Sequence, residues 1–272
     1  MTENENNIEV IKEILPGVTN IKNTDSFLLP SKGLIYKKDD NIPSTITLRR
    51  MTTKEDKLRY RNLPEDKIRR DLLQACVVGD IDVNKLKLTD ANFLLFKLRI
   101  LSLLEDRYKV SLRCPFCGTE FIHELNLSEV PIKYFDETDL DKFDIDLKIS
   151  KAKIHLKYPS LSEIIETGDI LNNAKKRNPN IDVNELSQTY YMILYIDTVN
   201  NNKLLDVELE EYVNNMDIID ERQLMRAIYK LEDLYGVDDS LATLCPSCNN
   251  EVKHGLPITS ELFNPSYEDE SK

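Results

Sequence analysis

Four of the five cysteines in the sequence form two pairs with the same pattern, Cys-Pro-x-Cys. The segment LRCPFCGTEFIHEL contains Cys114 and Cys117, and the segment LCPSCNNEVKHGL contains Cys245 and Cys248. Cysteine thiolates are strong zinc ligands, and a closed structural zinc site holds its ion with four ligands in a tetrahedron. The two pairs therefore predict one structural zinc site with four sulfur ligands.

The similarity between the two segments continues beyond the cysteines. A glutamate follows the second cysteine of each pair by three positions (Glu120, Glu251), and a histidine follows it by six (His123, His254). The residues around each pair alternate as in β-strands, so each segment predicts a strand, a cysteine knuckle and a second strand. Two such knuckles that face each other form a zinc ribbon, in which four thiolates leave no open coordination position for catalysis.

Other roles for the cysteines and histidines fit the pattern less well. A redox Cys-x-x-Cys pair belongs at the start of a helix in a βαβ unit, whereas both pairs here lie between strand-like segments. Each knuckle with its own histidine supplies only three ligands, so we expect His123 and His254 to face away from the metal. Cys76 lies on the apolar face of a predicted helix and is interpreted as a packing residue.

The predicted metal site is split along the chain. Cys117 and Cys245 are 128 positions apart, and most of the sequence between them predicts helices. We expect an α+β fold, with a mainly helical body and a split four-cysteine zinc ribbon that joins two lobes. The predicted divisions are a flexible N-terminal arm (1–26), an N-terminal helical lobe with the first knuckle (27–130), a helical insertion (131–240), the second knuckle that completes the ribbon (241–264) and a disordered tail (265–272).

Capping residues mark the expected helix starts. Thr52 and Glu55 have the spacing of a capping box, and Thr89 and Asp220 each precede apolar residues at helical spacing. Leu104 is expected to be buried near the end of the helix that follows Thr89. These patterns place helices on both sides of the first knuckle.

The composition predicts a soluble protein. The 272 residues carry a formal net charge of −12, and 31% of them are charged. No apolar stretch approaches the about 20 residues of a membrane span, and MTENENNIEV lacks the basic and apolar regions of a secretion signal. We therefore expect reduced thiols and no membrane partner. The negative charge also disfavours nucleic acid as the main partner.

The charge is distributed unevenly along the chain. Arg49–Arg70 contains nine basic and four acidic residues, whereas Asp136–Asp146 contains six acidic residues and one lysine. Such segments are typical of solvent-exposed faces, and we interpret both in that way. A basic face that binds a partner is the alternative for the first segment.

Sequence motifs of common enzymes are missing from the chain. It contains no G-x-x-x-x-G-K-[ST], no G-x-G-x-x-G, no H-E-x-x-H and no G-x-S-x-G. Its seven glycines are too few for loops that enclose phosphates. We therefore predict a non-enzymatic protein with no catalytic residues and no small-molecule substrate.

Several segments, taken in their order along the chain, carry a family resemblance. They are LPSKGLIY, ITLRRMTTKEDKL, LSLLEDRYKVSLRCPFC, LYGVDDSLATLCPSCNNEV and ELF. With these segments the chain resembles the baseplate hub proteins and hub-assembly chaperones of T-even-like contractile-tailed phages. The resemblance covers most of residues 27–263, and residues 136–202 are its least typical part.

The resemblance implies a role in building the baseplate hub, either as a structural component of the tail or as a chaperone of a hub or tape-measure protein. It implies the host cytoplasm during assembly, and the baseplate of the virion, as locations. A zinc-ribbon protein that binds nucleic acid or regulates transcription is the alternative function.

The segment LPSKGLIY is the predicted partner-binding segment. Its proline and glycine frame a turn between apolar residues. A turn that leads the chain into the core is the alternative interpretation. The candidate partner-binding residues are Leu29, Pro30, Ser31, Lys32, Gly33, Leu34 and Tyr36.

Overall fold

Helices and short strands alternate along residues 23–238 and 240–264, which are the residues that the computed structural model describes. The helices are α1 (Thr53–Asp56), α2 (Glu65–Cys76), α3 (Leu88–Leu103), α4 (Leu161–Arg177), α5 (Val183–Tyr195), α6 (Asp206–Asn214) and α7 (Ile218–Glu232). The strands are β1 (Thr24–Leu28), β2 (Thr45–Arg49), β3 (Val77–Val78), β4 (Arg107–Arg113), β5 (Glu120–Asn126), β6 (Ile132–Lys133), β7 (Asp144–Asp146), β8 (Lys153–Leu156), β9 (Ile196–Val199), β10 (Gly236–Val237), β11 (Leu241–Leu244) and β12 (Glu251–His254). This mixture of helices and strands agrees with the predicted α+β class.

The strands form small, separate antiparallel sheets. Two of these sheets have three strands each, in the orders β1-β2-β3 and β7-β8-β9. The other sheets are the pairs β4-β5, β11-β12 and β6-β10. The first two pairs are hairpins that carry the cysteine knuckles, and β6-β10 joins strands that are far apart in the chain.

The first hydrophobic core surrounds α3. This helix is apolar on several faces, because it packs against α2 on one side and against β1 and β2 on another. Its side chains Phe93, Leu94 and Phe96 are buried together with Leu72 and Leu73 of α2. The 3-10 turn Ser260–Phe263 returns to this core after the second hairpin, and Phe263 is also buried there.

The second hydrophobic core is built by residues 135–235. It is rich in aromatic side chains, and Phe135, Phe143, Tyr158 and Tyr235 meet edge to face, as aromatic quadrupoles favour. Helices α5 and α7 cover this cluster from outside. Along the chain, the change from the first core to the second falls near position 133, and the return to the first core falls near position 236. The domain limits predicted from the sequence stay predictions.

Backbone contacts join the two cores directly. Lys87 and Ser160 form an isolated antiparallel bridge, and the Leu88 N–H donates a 2.9 Å hydrogen bond to the Pro159 carbonyl. Leu161, the first residue of α4, is buried in the first core. Helix α4 therefore starts at the contact between the two cores and packs against α2 and α3.

Two predicted helix starts are wrong, and tertiary contacts explain why. Helix α3 begins at Leu88 rather than after Thr89, because the bridge to Ser160 fixes the chain just before it. Helix α7 begins at Ile218, where the Asp217 side chain accepts the Ile219 N–H. The predicted capping box of Thr52 and Glu55 is confirmed at the start of α1.

Leu104 and Asp220 differ from their predicted environments. Leu104 was expected in the core, but it ends α3 with a φ of 52° and is 62% exposed. Asp220 lies inside α7 and is buried. Its carboxylate accepts the backbone N–H groups of Ile149 and Ser150, each at 2.8 Å.

The predicted arm and tail fall largely on residues that the structure leaves undescribed. Residues 1–22 and 265–272 lie outside the described part. Residues 24–26, which the sequence assigned to the arm, are instead the start of β1 and pair with β2. None of the described helices combines the length and the apolar composition needed to cross a membrane.

Candidate metal centre

The first cysteine knuckle closes the β4-β5 hairpin. The strands pair without interruption from Arg107 with Asn126 to Arg113 with Glu120. In the turn, the Cys114 N–H donates to the Thr119 carbonyl and the Gly118 N–H donates to the Cys114 carbonyl, both at 2.9 Å. Gly118 has a φ of 76°, which a residue without a Cβ adopts at little cost.

The second knuckle closes the β11-β12 hairpin in the same way. The Cys245 N–H donates to the Asn250 carbonyl and the Asn249 N–H donates to the Cys245 carbonyl, again at 2.9 Å. Asn249 takes the position of the glycine with a φ of 57°, a conformation that asparagine tolerates better than most residues. The repeat in the sequence is therefore a repeat of backbone structure.

The two knuckles bring all four predicted cysteines together. The four Sγ atoms lie within 4.8 Å of one another. Cys114 Sγ is 3.6 Å from Cys248 Sγ, and Cys117 Sγ is 3.6 Å from Cys245 Sγ. A tetrahedron with metal–sulfur bonds of about 2.3 Å has sulfur–sulfur edges of about 3.8 Å, so the cluster has the size that one metal ion requires.

The fold shields one side of this sulfur cluster. Cys114 and Cys245 are each 1% exposed and pack with Phe121 and Val252, which occupy matching positions in β5 and β12. Cys117, by contrast, is exposed. The first cysteine of each pair therefore points inward, and the site lies at the edge of the molecule with a small apolar cluster beneath it.

Hydrogen bonds and crowding shift the thiol pKa values in opposite directions. Hydrogen bonds from the Thr119 side chain and backbone lower the pKa of Cys117 to about 6. At Cys248 the hydrogen bond from the Asn250 backbone lowers the thiol pKa, but desolvation and the neighbouring thiols raise it more, to about 11. Four thiolates at this spacing repel one another, and a bound cation removes that conflict. The cluster could therefore hold a metal ion.

The two histidines are not part of the sulfur cluster, and they contact each other. His123 Nδ1 lies 2.9 Å from His254 Nε2, and the rings meet edge to face. His254 Nδ1 lies 3.1 Å from the Gly255 carbonyl, which can only accept, so Nδ1 of His254 carries the proton and Nε2 accepts from His123. Their equal offset from the knuckles was the sequence signal for this contact, because matching positions in two facing hairpins can meet.

The segment LPSKGLIY is held mainly by internal contacts. Leu29, Pro30 and Ser31 are buried, and the Tyr36 hydroxyl donates a 2.8 Å hydrogen bond to Asp90 Oδ2. The Ser31 N–H donates to the other oxygen of the same carboxylate at 3.2 Å. Asp90 was not predicted as a key residue, and no sequence motif marks it.

The exposed part of that segment is small. Lys32 and Gly33 have φ values of 53° and 80°, as expected for a tight turn that favours glycine. Lys32 and Leu34 are exposed, whereas Gly33 and Tyr36 are half-buried. A partner that approaches this segment would meet Lys32 and Leu34 first.

The basic segment Arg49–Arg70 makes many internal contacts. Arg49 pairs with Glu55 at 2.9 Å, and Lys67 reaches Asp169 of α4 at 2.7 Å. Arg50 donates to the Ser102 carbonyl at the end of α3. Further ion pairs within or next to this segment are Arg59–Asp56, Arg61–Asp71, Arg69–Asp66 and Arg70–Asp71.

The fifth cysteine behaves as predicted. Cys76 is fully buried in the first core, at the end of α2. Burial raises the pKa of its thiol to about 12, so it stays protonated and acts as a small apolar side chain. It is not part of the sulfur cluster.

Comparison with known protein families gives one match. The family described as T4 bacteriophage base plate protein matches residues 28–264. No curated protein and no solved structure matches the chain significantly. The matched range includes both cysteine knuckles and both hydrophobic cores.

Proposed function

Because the chain belongs to the T4 bacteriophage base plate protein family, we propose that it acts in assembly of the baseplate hub, as a structural component or as a chaperone of a hub or tape-measure protein. The family match over residues 28–264 is the observation that carries this proposal. The proposed partners are other tail proteins, and the proposed locations are the host cytoplasm during assembly and the baseplate of the virion.

The proposal assigns zinc to the four-cysteine cluster as a structural ion. Zinc prefers a tetrahedral set of thiolates, and the sulfur–sulfur distances of 3.6 Å suit its bond length. The ion would join the hairpin that precedes the second core to the hairpin that follows it. Iron can occupy a four-thiolate site as well, and metal analysis of the purified protein distinguishes the two ions.

The proposed role involves no catalysis. A four-thiolate site has no open position for water or substrate, so its ion cannot activate either one. The buried carboxyl of Asp90 is hydrogen-bonded to Ser31 and Tyr36, which fit a structural role. We therefore propose no catalytic residue and no small-molecule substrate.

The alternative of a zinc-ribbon nucleic-acid-binding protein has less support. Its best feature was the basic segment Arg49–Arg70, but six of the nine basic residues there form ion pairs with acids of the same chain. Paired cations attract phosphates weakly, because their charge is already compensated. The net charge of −12 also disfavours binding to the negatively charged phosphates of nucleic acid.

The role of Leu29–Tyr36 in partner binding remains part of the proposal. Lys32 and Leu34 are its exposed residues, and the others are buried or half-buried. Substitution of these two residues to Ala would weaken capture of a partner without loss of stability. Substitution of buried Leu29 to Ala serves as the contrast, since it would destabilise the fold by about 2–5 kcal/mol.

The experiment that tests the function is affinity capture from cells that produce a complete set of T4-like tail proteins. The tagged chain is purified, and co-purifying proteins are identified and quantified by mass spectrometry. Baseplate, hub or tape-measure proteins in a fixed ratio to the chain are the expected result. Nucleic acid or RNA polymerase in their place would overturn the proposal.

Purified virions separate the two forms of the proposed role. A structural component would be present in finished particles at a constant copy number, whereas a chaperone would be present only in assembly intermediates. Quantitative mass spectrometry of both samples measures the difference.

A further inference from the structure

A groove of about 450 Å³ runs along α6 on the outside of the second core. Apolar parts of Leu204, Tyr212 and Met216 line it on one side. No lysine or arginine is among its lining residues in the described part of the chain. The carboxylates that line it are Glu208, Glu211, Asp217 and Asp220.

Exposed aliphatic side chains are close in the chain to residues that line the groove. Five of them occur in three short segments that also contribute lining residues, and their exposed fractions lie between 50% and 76%. Large apolar side chains that are exposed together mark interaction sites more often than single ones do. They are Ile149, Leu205, Val207, Ile218 and Ile219.

Internal cations do not compensate the acidic side chains of the groove. Glu208, Asp217 and Asp220 accept backbone N–H groups of Leu205, Ile219 and the segment before β8, respectively. None of the ion pairs among the described residues uses these three carboxylates or Glu211. The groove therefore combines apolar surface with uncompensated negative charge.

From this combination we propose that the groove docks a segment of another tail protein in which apolar side chains are flanked by lysine or arginine. An apolar side chain would fill the space beside Tyr212 and Met216, and the cations would lie against Glu208 and Glu211. A second copy of this chain is a poor occupant, because its own net charge is −12. Nucleic acid is excluded from the groove by the same repulsion.

The inference deepens the function proposed above and rests on it for the origin of the partner, but the binding itself is tested with the isolated protein. The probe is a fluorescently labelled 16-residue amphipathic peptide of leucine and lysine, and its match is the same peptide with glutamate at every lysine. Fluorescence anisotropy measures the dissociation constant of each peptide. The measurement is made at about 0.15 M salt, because salt at this concentration screens long-range attraction between charges. We expect the lysine peptide to bind and the glutamate peptide not to bind.

Substitutions locate the peptide on the protein. Glu211→Lys reverses the charge of a lining residue whose side chain makes no hydrogen bond among the described residues. Val207→Gln removes an exposed aliphatic group next to the lining residue Glu208. We expect the first to weaken binding by about tenfold or more, which is the effect of about 1.4 kcal/mol, and the second by several-fold.

Matched controls use sites away from the groove. Asp141→Lys makes the same change in net charge within the acidic segment Asp136–Asp146, and Ile122→Gln removes an exposed aliphatic side chain from β5. We expect each control to change the dissociation constant by less than about twofold. An equal loss in Asp141→Lys would show attraction to charge alone and would overturn the proposal, as would absence of binding by the lysine peptide.

Affinity capture separates this inference from the proposed function. If the wild-type chain captures tail proteins and the Glu211→Lys chain captures them equally well, the groove is not the docking surface, although the function stands. If the wild-type chain captures no tail protein, the proposed function fails, whatever the peptide does. Reduced capture by Glu211→Lys and by Val207→Gln, but not by their controls, supports both.

Discussion

Gly236 lies so close to Thr89 that a Cβ added to the glycine would be 2.5 Å from Cγ2 of the threonine. Gly236 belongs to β10, which pairs with β6 next to the last buried residue of the second core, and Thr89 lies in the first turn of α3. Real Cβ atoms essentially never approach a heavy atom so closely. The two cores can therefore meet at this point only because position 236 has no side chain.

Gly236→Ala is expected to destabilise the protein by about 2–4 kcal/mol, from the strain of a positive φ and from overpacking against Thr89. Gly79→Ala is the matched control, since Gly79 also has a positive φ but has no atom within 4 Å of an added Cβ. Gly79→Ala should cost only about 1 kcal/mol. Urea denaturation measures the free energy of unfolding of both variants. Adding Thr89→Ser to Gly236→Ala should restore part of the lost stability, because serine lacks the Cγ2 atom that the added Cβ would meet. Equal losses in the two glycine variants would contradict the proposed clash.

Removal of the metal is expected to loosen the junction between the two hairpins. The purified protein should contain one zinc ion per chain. The double variant Cys114→Ser, Cys245→Ser should contain no zinc, and elemental mass spectrometry measures the zinc content of both proteins. The double variant should also unfold at a markedly lower temperature, because structural zinc contributes about 10–16 kcal/mol of apparent binding free energy in small zinc domains. Cys76→Ala is the control and should keep its zinc. Unchanged metal content in the double variant would rule out the four-cysteine site.

Asp90 is expected to give the stability a specific pH dependence. Burial raises the pKa of its carboxyl from 3.8 to about 6. The folded protein then holds this proton more tightly than the unfolded chain, so Asp90 lowers the free energy of unfolding as the pH rises from about 4 to about 6. Asp90→Asn should remove this contribution, which amounts to about 3 kcal/mol over the whole window. Urea denaturation of both proteins from pH 4 to pH 7 measures the difference, and parallel curves would contradict the assignment.

His123, which contacts His254, is expected to stabilise the two hairpins most at a pH where its own ring is neutral. Desolvation and the neighbouring His254 lower the pKa of His123. A lowered pKa in the folded state means that this contribution is complete above the pKa of the unfolded chain and is lost as the pH falls through the folded value. A double-mutant cycle with His123→Ala and His254→Ala should give a coupling energy of about 0.5–1.5 kcal/mol at pH 8.

The same cycle at pH 5 should give a smaller coupling energy, because desolvation and the neighbouring His254 both oppose a charge on His123. Metal content is measured for each variant at each pH, so that only metal-loaded proteins are compared. A coupling energy that is equal at both pH values would show that the rings interact only through packing.

The four-cysteine cluster could be predicted from the sequence because its information is local and repeated. Each knuckle needs only Cys-Pro-x-Cys between two strands, with Gly118 or Asn249 to close the turn. The contact between the two knuckles followed from the chemistry of the ligands, because half a site is not stable alone. The contact between His123 and His254 is not evident from either segment alone, because it joins two hairpins 131 positions apart in the chain.

Long-range contacts account for the features that the sequence did not reveal. Aspartate is a good capping residue, but the carboxylate of Asp220 is used by backbone groups about 70 positions earlier in the chain. Likewise, the burial of Asp90 depends on a turn 59 positions before it. Capping patterns report the residue type that suits a helix start, whereas tertiary hydrogen bonds decide which residue of that type is used.

The split of the metal centre also separates its two halves in time during synthesis. At about 5–20 residues per second, a ribosome needs roughly 6–26 s to add the 128 positions from Cys117 to Cys245. Through that interval the nascent chain has only two of the four cysteines of the cluster, and the residues of the second core are synthesised before the four sulfur atoms can come together. A chain that stops before Cys248 can never complete the cluster, so the proposed metal binding would mark chains whose translation has passed this point.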